Sequence, residues 1–187
     1  MRRYLLLVDS ISAAVGKLFG WCIVALTAVV GYDVLLRYLF RAPTTWAFDA
    51  AYMLYGTLFM MAGAYTLSRG GHVRGDMFYR EWPVRVQAAV DLLLYFLFFL
   101  PGILALVWSG WTYAETARAV NERSFSSPGG PIIWPFKYII PIAGFMMLLQ
   151  GIVEIIRAIQ TLRTGEWPER LSDVEETETR LAKESQM

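Results

Sequence analysis

The chain has 187 residues, of which 56% are apolar, 15% aromatic and 18% charged, with a formal net charge of +1. That is too greasy and too charge-poor for an ordinary soluble domain, and the near-neutral balance leaves no electrostatic footprint for nucleic acid. A single cysteine, Cys22, and a single histidine, His72, exclude a disulfide scaffold, a CxxC redox centre, a thiolate zinc cluster and a bis-histidine haem.

The first residues, MRRYLLLVDSIS, place basic residues before an apolar run as a signal peptide would. The run is interrupted at Asp9, and no small-residue cleavage site follows closely. The expectation is a retained amphipathic lead-in helix with Leu5, Val8, Ile11 and Val15 on one face.

Four apolar segments then reach the roughly 20 helical residues that a hydrocarbon core of about 30 Å requires. They lie at about 18–39, 46–67, 86–112 and 132–156. None alternates apolar with polar as a barrel strand does, so the backbone has to be satisfied in lipid by helices. The predicted fold is all-α: a four-helix transmembrane domain over residues 1–162 with a polar, Glu-rich tail over 163–187. Trp46 and Trp134 open the second and fourth segments, and Trp108 and Trp111 close the third, as interfacial anchors do.

Orientation follows from the basic residues. The amino-terminal segment, the second connection and the carboxyl-terminal segment carry twelve Lys and Arg, against five in and beside the first and third connections. By the positive-inside rule both termini are predicted cytoplasmic.

The connections hold the candidate sites. In the second, His72 and Asp76 lie one helical turn apart, but no third ligand is near in sequence, and the glycines at 70, 71 and 75 lack the ending of a phosphate loop. Gly70 and Gly71 are expected to end the second helix in a left-handed cap, with Arg69, Arg74 and Arg80 meeting anionic headgroups. Near the first connection, Asp33 and Arg37 are spaced to pair, and Asp49 is placed to pair with Arg37 or Arg41 and hold the first hairpin. In the third, SPGGP makes a turn, Pro135 suits a first helical turn, and Pro141 predicts a kink or a helix start later than Ile132. No catalytic constellation, metal site or cofactor site is expected.

The series RYLFRAPTTWAFDAAYML, GAYTLSRGGHVRGDMFY and SSPGGPIIWPFKYIIPIAGFMMLLQGIVEII resembles the small membrane subunit, DctQ type, of tripartite ATP-independent periplasmic (TRAP) transporters. The match runs from about Arg37 to Ile156, and its most specific piece is a G-H-[VI]-R-x-D pattern carried by Gly71, His72, Val73, Arg74 and Asp76. The family often has Glu where Asp49 stands. The resemblance implies a non-catalytic inner-membrane subunit that partners a large membrane subunit and a periplasmic substrate-binding protein in sodium-coupled uptake of an organic acid or similar small solute. It makes Arg37, Asp49, Gly71, His72, Arg74 and Asp76 a candidate subunit-interface or structural motif. Ser127, Pro128, Gly129, Gly130, Trp134 and Lys137 become a candidate contact for the binding protein. A cofactor-free membrane anchor of a redox enzyme complex is the alternative that the residues alone leave open.

Overall fold

The computed structural model describes residues 2–70, 79, 81–127 and 129–168. These residues are helical, with no β-ladder beyond a single antiparallel bridge between Arg123 and Ile132.

Helix α1 (Arg2–Gly20) continues into α2 (Cys22–Leu39) with only a local break at Trp21, giving a rod long and apolar enough to cross a membrane. The lead-in helix expected from the sequence is therefore the first half of that rod. Its buried face carries Leu5 and Val8 as expected, but also Asp9 and Ser12, while Ile11 is exposed. Polar atoms on the inward face outweigh the apolar stripe because partners wait for them on another helix.

Helix α2 closes through a left-handed Arg41, with the Ala42 N–H donating to the Leu36 carbonyl at 3.2 Å. The chain then returns as α3 (Ala47–Ser68). Gly70, at φ 65°, follows its end as the sequence anticipated, while Gly71 lies outside the described residues.

Pro83 precedes α4 (Val84–Leu94), which runs through a π-helical turn at Tyr95–Phe99 into α5 (Leu100–Ala119). Pro101 explains the wide turn: it has no N–H to give to Leu97, and the Leu100 N–H reaches back five residues to Tyr95 instead. The resulting rod, Val84–Ala119, outruns the 86–112 segment read from hydropathy. Its polar last turns are satisfied locally, by Thr112 and Thr116 hydroxyls donating to carbonyls four residues back and by an Arg118–Glu115 pair at 2.7 Å.

A short helix α6 (Trp134–Lys137) precedes α7 (Ile139–Thr164). The break at Tyr138 is what Pro141 imposes, since it cannot return an N–H to the Lys137 carbonyl. Gly165, at φ 83°, caps α7. Residues 169–187 of the expected tail lie outside the described part.

Among the described residues, three helical stretches, Arg3–Leu39, Val84–Ala119 and Trp134–Thr164, are long and apolar enough to cross a membrane. Helix α3 has the length, at 22 residues, but Asp49, Tyr52, Tyr55 and Thr57 dilute its hydropathy. The expected fourth span is thus a helix of spanning length that falls short by composition.

The last stretch is the core: 44% of its most apolar window is buried, against 6% in each of the other two. Glycines let neighbours approach it closely. A Cβ on Gly110 would sit 2.9 Å from Ile140, and one on Gly63 2.9 Å from the Met147 sulfur. Close approaches of Gly16 to Tyr65 and of Tyr32 to Trp46 set the α1–α2 rod antiparallel to α3. Both described chain ends therefore share one end of the bundle with the α3–α4 connection, and the connections at 40–46 and 120–133 share the other.

Candidate functional site

At the connection end the structure gathers polar side chains that are far apart in sequence. Asp33 accepts from Arg37 Nη2 at 2.6 Å, from the Thr44 N–H at 2.8 Å and from the Thr44 hydroxyl at 2.5 Å, so it closes the α2–α3 turn upon itself. Asp49, in the first turn of α3, is fully buried. Its two carboxylate oxygens accept from the Ser124 and Ser127 hydroxyls, each at 2.5 Å. The Thr45 carbonyl lies within reach of the same Ser127 hydroxyl and shares its one proton with Asp49. The expected pairing of Asp49 with Arg37 or Arg41 is replaced by these hydroxyls. Arg37 is committed to Asp33, and what Asp49 ties down is the third connection.

The same connection is held from its other limb. Lys137 is buried, pairs with Glu122 at 2.5 Å and places its ammonium 3.9 Å from the centre of the Tyr113 ring. The Trp134 indole N–H donates to Asn121 Oδ1 at 3.2 Å, and Tyr138 donates to Glu115. Aromatic rings join these anchors edge to face, Trp111 on Tyr138 and Trp134 on Tyr138, in the manner of an interfacial belt.

This geometry sorts the residues singled out as a docking surface. Ser127, Gly130 and Lys137 face inward and build the loop, Trp134 is half-buried against it, and Gly129, at φ 68°, is exposed at its turn. Pro128 lies outside the described residues. The outward face of the loop is instead made by Arg123, Phe125 and Ser126. Gly71, His72, Arg74 and Asp76 of the second connection also lie outside the described residues. Among the described residues that follow, Tyr79 donates to Asp91 at 2.8 Å, and a cavity of about 500 Å³ is lined by Leu67, Gly70, Asp91, Leu94, Tyr95 and the Phe98–Phe99 pair.

A second polar cluster, at the end that carries the chain ends, was not foreseen. Arg157 on α7 is wholly buried and pairs with Glu154 at 2.6 Å and with Asp9 of α1. Gln150 donates to Asp9 at 2.8 Å and accepts from Ser12 at 2.9 Å. Leu5, Val8 and Val153 pack beside this network, with Leu149 and Ile156 against them. A signal for it existed. Gln150, Glu154, Arg157 and Thr161 recur at intervals of four, three and four, a polar stripe within an otherwise apolar helix.

The described residues, overwhelmingly helical and with three helices long and apolar enough to cross a membrane, have the make-up of an α-helical membrane protein. The family model for tripartite ATP-independent periplasmic transporters, DctQ component, matches residues 26–161, so the chain belongs to that family, the small permease component of TRAP transporters. No curated protein matches the chain in sequence.

Proposed function

We propose that this chain is the fixed small subunit of a TRAP transporter in a bacterial inner membrane. It partners a large membrane subunit that carries the sodium and substrate sites, and a periplasmic binding protein delivers an organic acid or similar small solute. The observation that carries this reading is the extent of the family match, which runs from α2 through nearly all of α7. The internal chemistry agrees with a scaffold. Asp33, Asp49, Glu115, Glu122 and Asp9 each hold one element to another or stitch a turn, which suits a part that stays still while a neighbour moves.

In this reading α3 is the fourth span. It lies lengthwise between the α1–α2 rod and α7, so a bilayer around those helices surrounds it too, and its polar Asp49, Thr57 and Ser68 are buried among protein atoms. Both termini are cytoplasmic, from the excess of basic residues at that end, and the 40–46 and 120–133 connections are periplasmic. His72 and Asp76 then belong to the cytoplasmic junction after α3, where they hold that junction or the large subunit.

Purification of the tagged chain in mild detergent, with mass spectrometry of what accompanies it, tests the assignment. A large many-helix membrane protein is expected in comparable amount. Recovery of only this chain, or of a flavoprotein, overturns it.

A further inference from the structure

The connection end carries four carboxylates and five basic side chains, and the pairing there is uneven. Asp33 is taken by Arg37, Glu115 by Arg118, Glu122 by Lys137, and Asp49 by two serines. Arg41 and Arg123 remain, both exposed and neither paired with a carboxylate among the described residues. Arg123 spends only one long N–H bond, 3.3 Å, on the Gly130 carbonyl.

Two further observations single out this surface. Arg41 sits at φ 52°, a left-handed helix-ending position at which glycine would be strain-free. Strained backbone of this kind clusters at binding and switch sites. Two residues beyond Arg123, Phe125 is 97% exposed, although Ser124 and Ser127 on either side are buried and bonded to Asp49. The phenyl ring is therefore presented on a pinned backbone, so seating it would cost little ordering entropy. The Ser127 hydroxyl lies against the Thr45 carbonyl, which brings the connection that carries Arg41 next to the Phe125 loop at one end of the bundle.

We propose that Arg41, Arg123 and Phe125 form a docking surface for a water-soluble protein that offers an apolar pocket rimmed by carboxylates. Resting on the function proposed above, that protein is the transporter's periplasmic binding protein. An aromatic anchor flanked by arginines is the composition that concentrates binding energy at protein interfaces. A headgroup contact fits the ring less well: the belt of Trp111, Tyr138 and Trp134 flanks the loop at its base, and Phe has no polar tip for the interfacial layer.

The test uses the assembled membrane complex in nanodiscs and the binding protein of the same transporter, with docking measured by surface binding and uptake measured in proteoliposomes. Phe125→Asp and Arg41→Gly are each expected to weaken docking about tenfold or more, with the complex recovered in normal yield. Arg41→Gly removes the strain, so it should also leave the melting temperature unchanged or raised. Docking by the parent complex should weaken as salt rises. Unchanged docking in both variants overturns the proposal. So does weakened docking that tracks a lowered melting temperature in Arg41→Gly, or an effect of Phe125→Asp that appears only in anionic-lipid nanodiscs, which would assign the ring to the membrane. If the large subunit fails to co-purify with the parent chain, the functional reading falls; if it co-purifies and docking is insensitive to both variants, only this surface does.

Discussion

Arg157 shows how charge can be stored in an apolar helix. One guanidinium faces two carboxylates, Asp9 and Glu154, all but excluded from solvent. Removing one carboxylate leaves the guanidinium paired with the other, whereas removing the guanidinium takes from the buried Asp9 the cation it is paired with. Asp9→Asn should therefore cost about 1 kcal/mol, the scale of one exchanged hydrogen bond. Arg157→Ala should cost about 3–5 kcal/mol, the scale of an orphaned buried charge. Thermal unfolding in detergent followed by tryptophan fluorescence reads both, and a larger loss for Asp9→Asn would refute this ordering. Asp49 makes the matching case at the other end. Asp49→Ala takes from the buried Ser124 hydroxyl its acceptor, leaves Ser127 only the Thr45 carbonyl, and should cost about 1–2 kcal/mol while loosening the loop. Trypsin should then cut after Arg123 faster than in the parent protein, and an unchanged cutting rate would mean the serines do not hold the loop.

At the scale of elements, close packing decides how the helices meet. Gly151 of α7 faces the Phe99 ring, which stands at the end of the π turn, and a Cβ at that position overlaps the ring edge. Gly151→Leu must push α7 away from the α4–α5 rod and should lower the melting temperature by several degrees, in line with about 1–3 kcal/mol for overpacking. Phe99→Ala opens room for the added side chain, so the double variant should recover part of that loss. Full additivity of the two effects would show that the contact is not the cause. The π turn itself was hidden in the sequence reading because Pro101 sits inside a continuous apolar run, and hydropathy does not register where a backbone donor is missing. Pro141 was legible for the opposite reason, since it follows a turn and a tryptophan that already mark a helix start.

For the whole molecule, apolar length and tryptophan placement made the helices and their order readable from composition and spacing alone. The polar contacts were readable only where both partners lie on one helix, as with Asp33 and Arg37. Asp9 with Arg157, and Asp49 with Ser124 and Ser127, are joined by the fold across long stretches of chain, and one sequence carries no record of such pairs. The sidedness of the molecule rests on charge counting, and the structure indicates where to test it. Ser68 is buried and a poor reporter, whereas Glu81 and Ser126 are exposed at opposite ends of the bundle. In a Cys22→Ser background, an impermeant maleimide added to intact spheroplasts should label Ser126→Cys and spare Glu81→Cys. Permeabilised cells should label both. The start of the amino-terminal rod, the α3–α4 junction and the end of α7 share the Glu81 end, so labelling of Glu81→Cys from outside would invert the molecule. It would also turn the Arg41 and Phe125 face towards the cytoplasm, where no periplasmic protein can reach it.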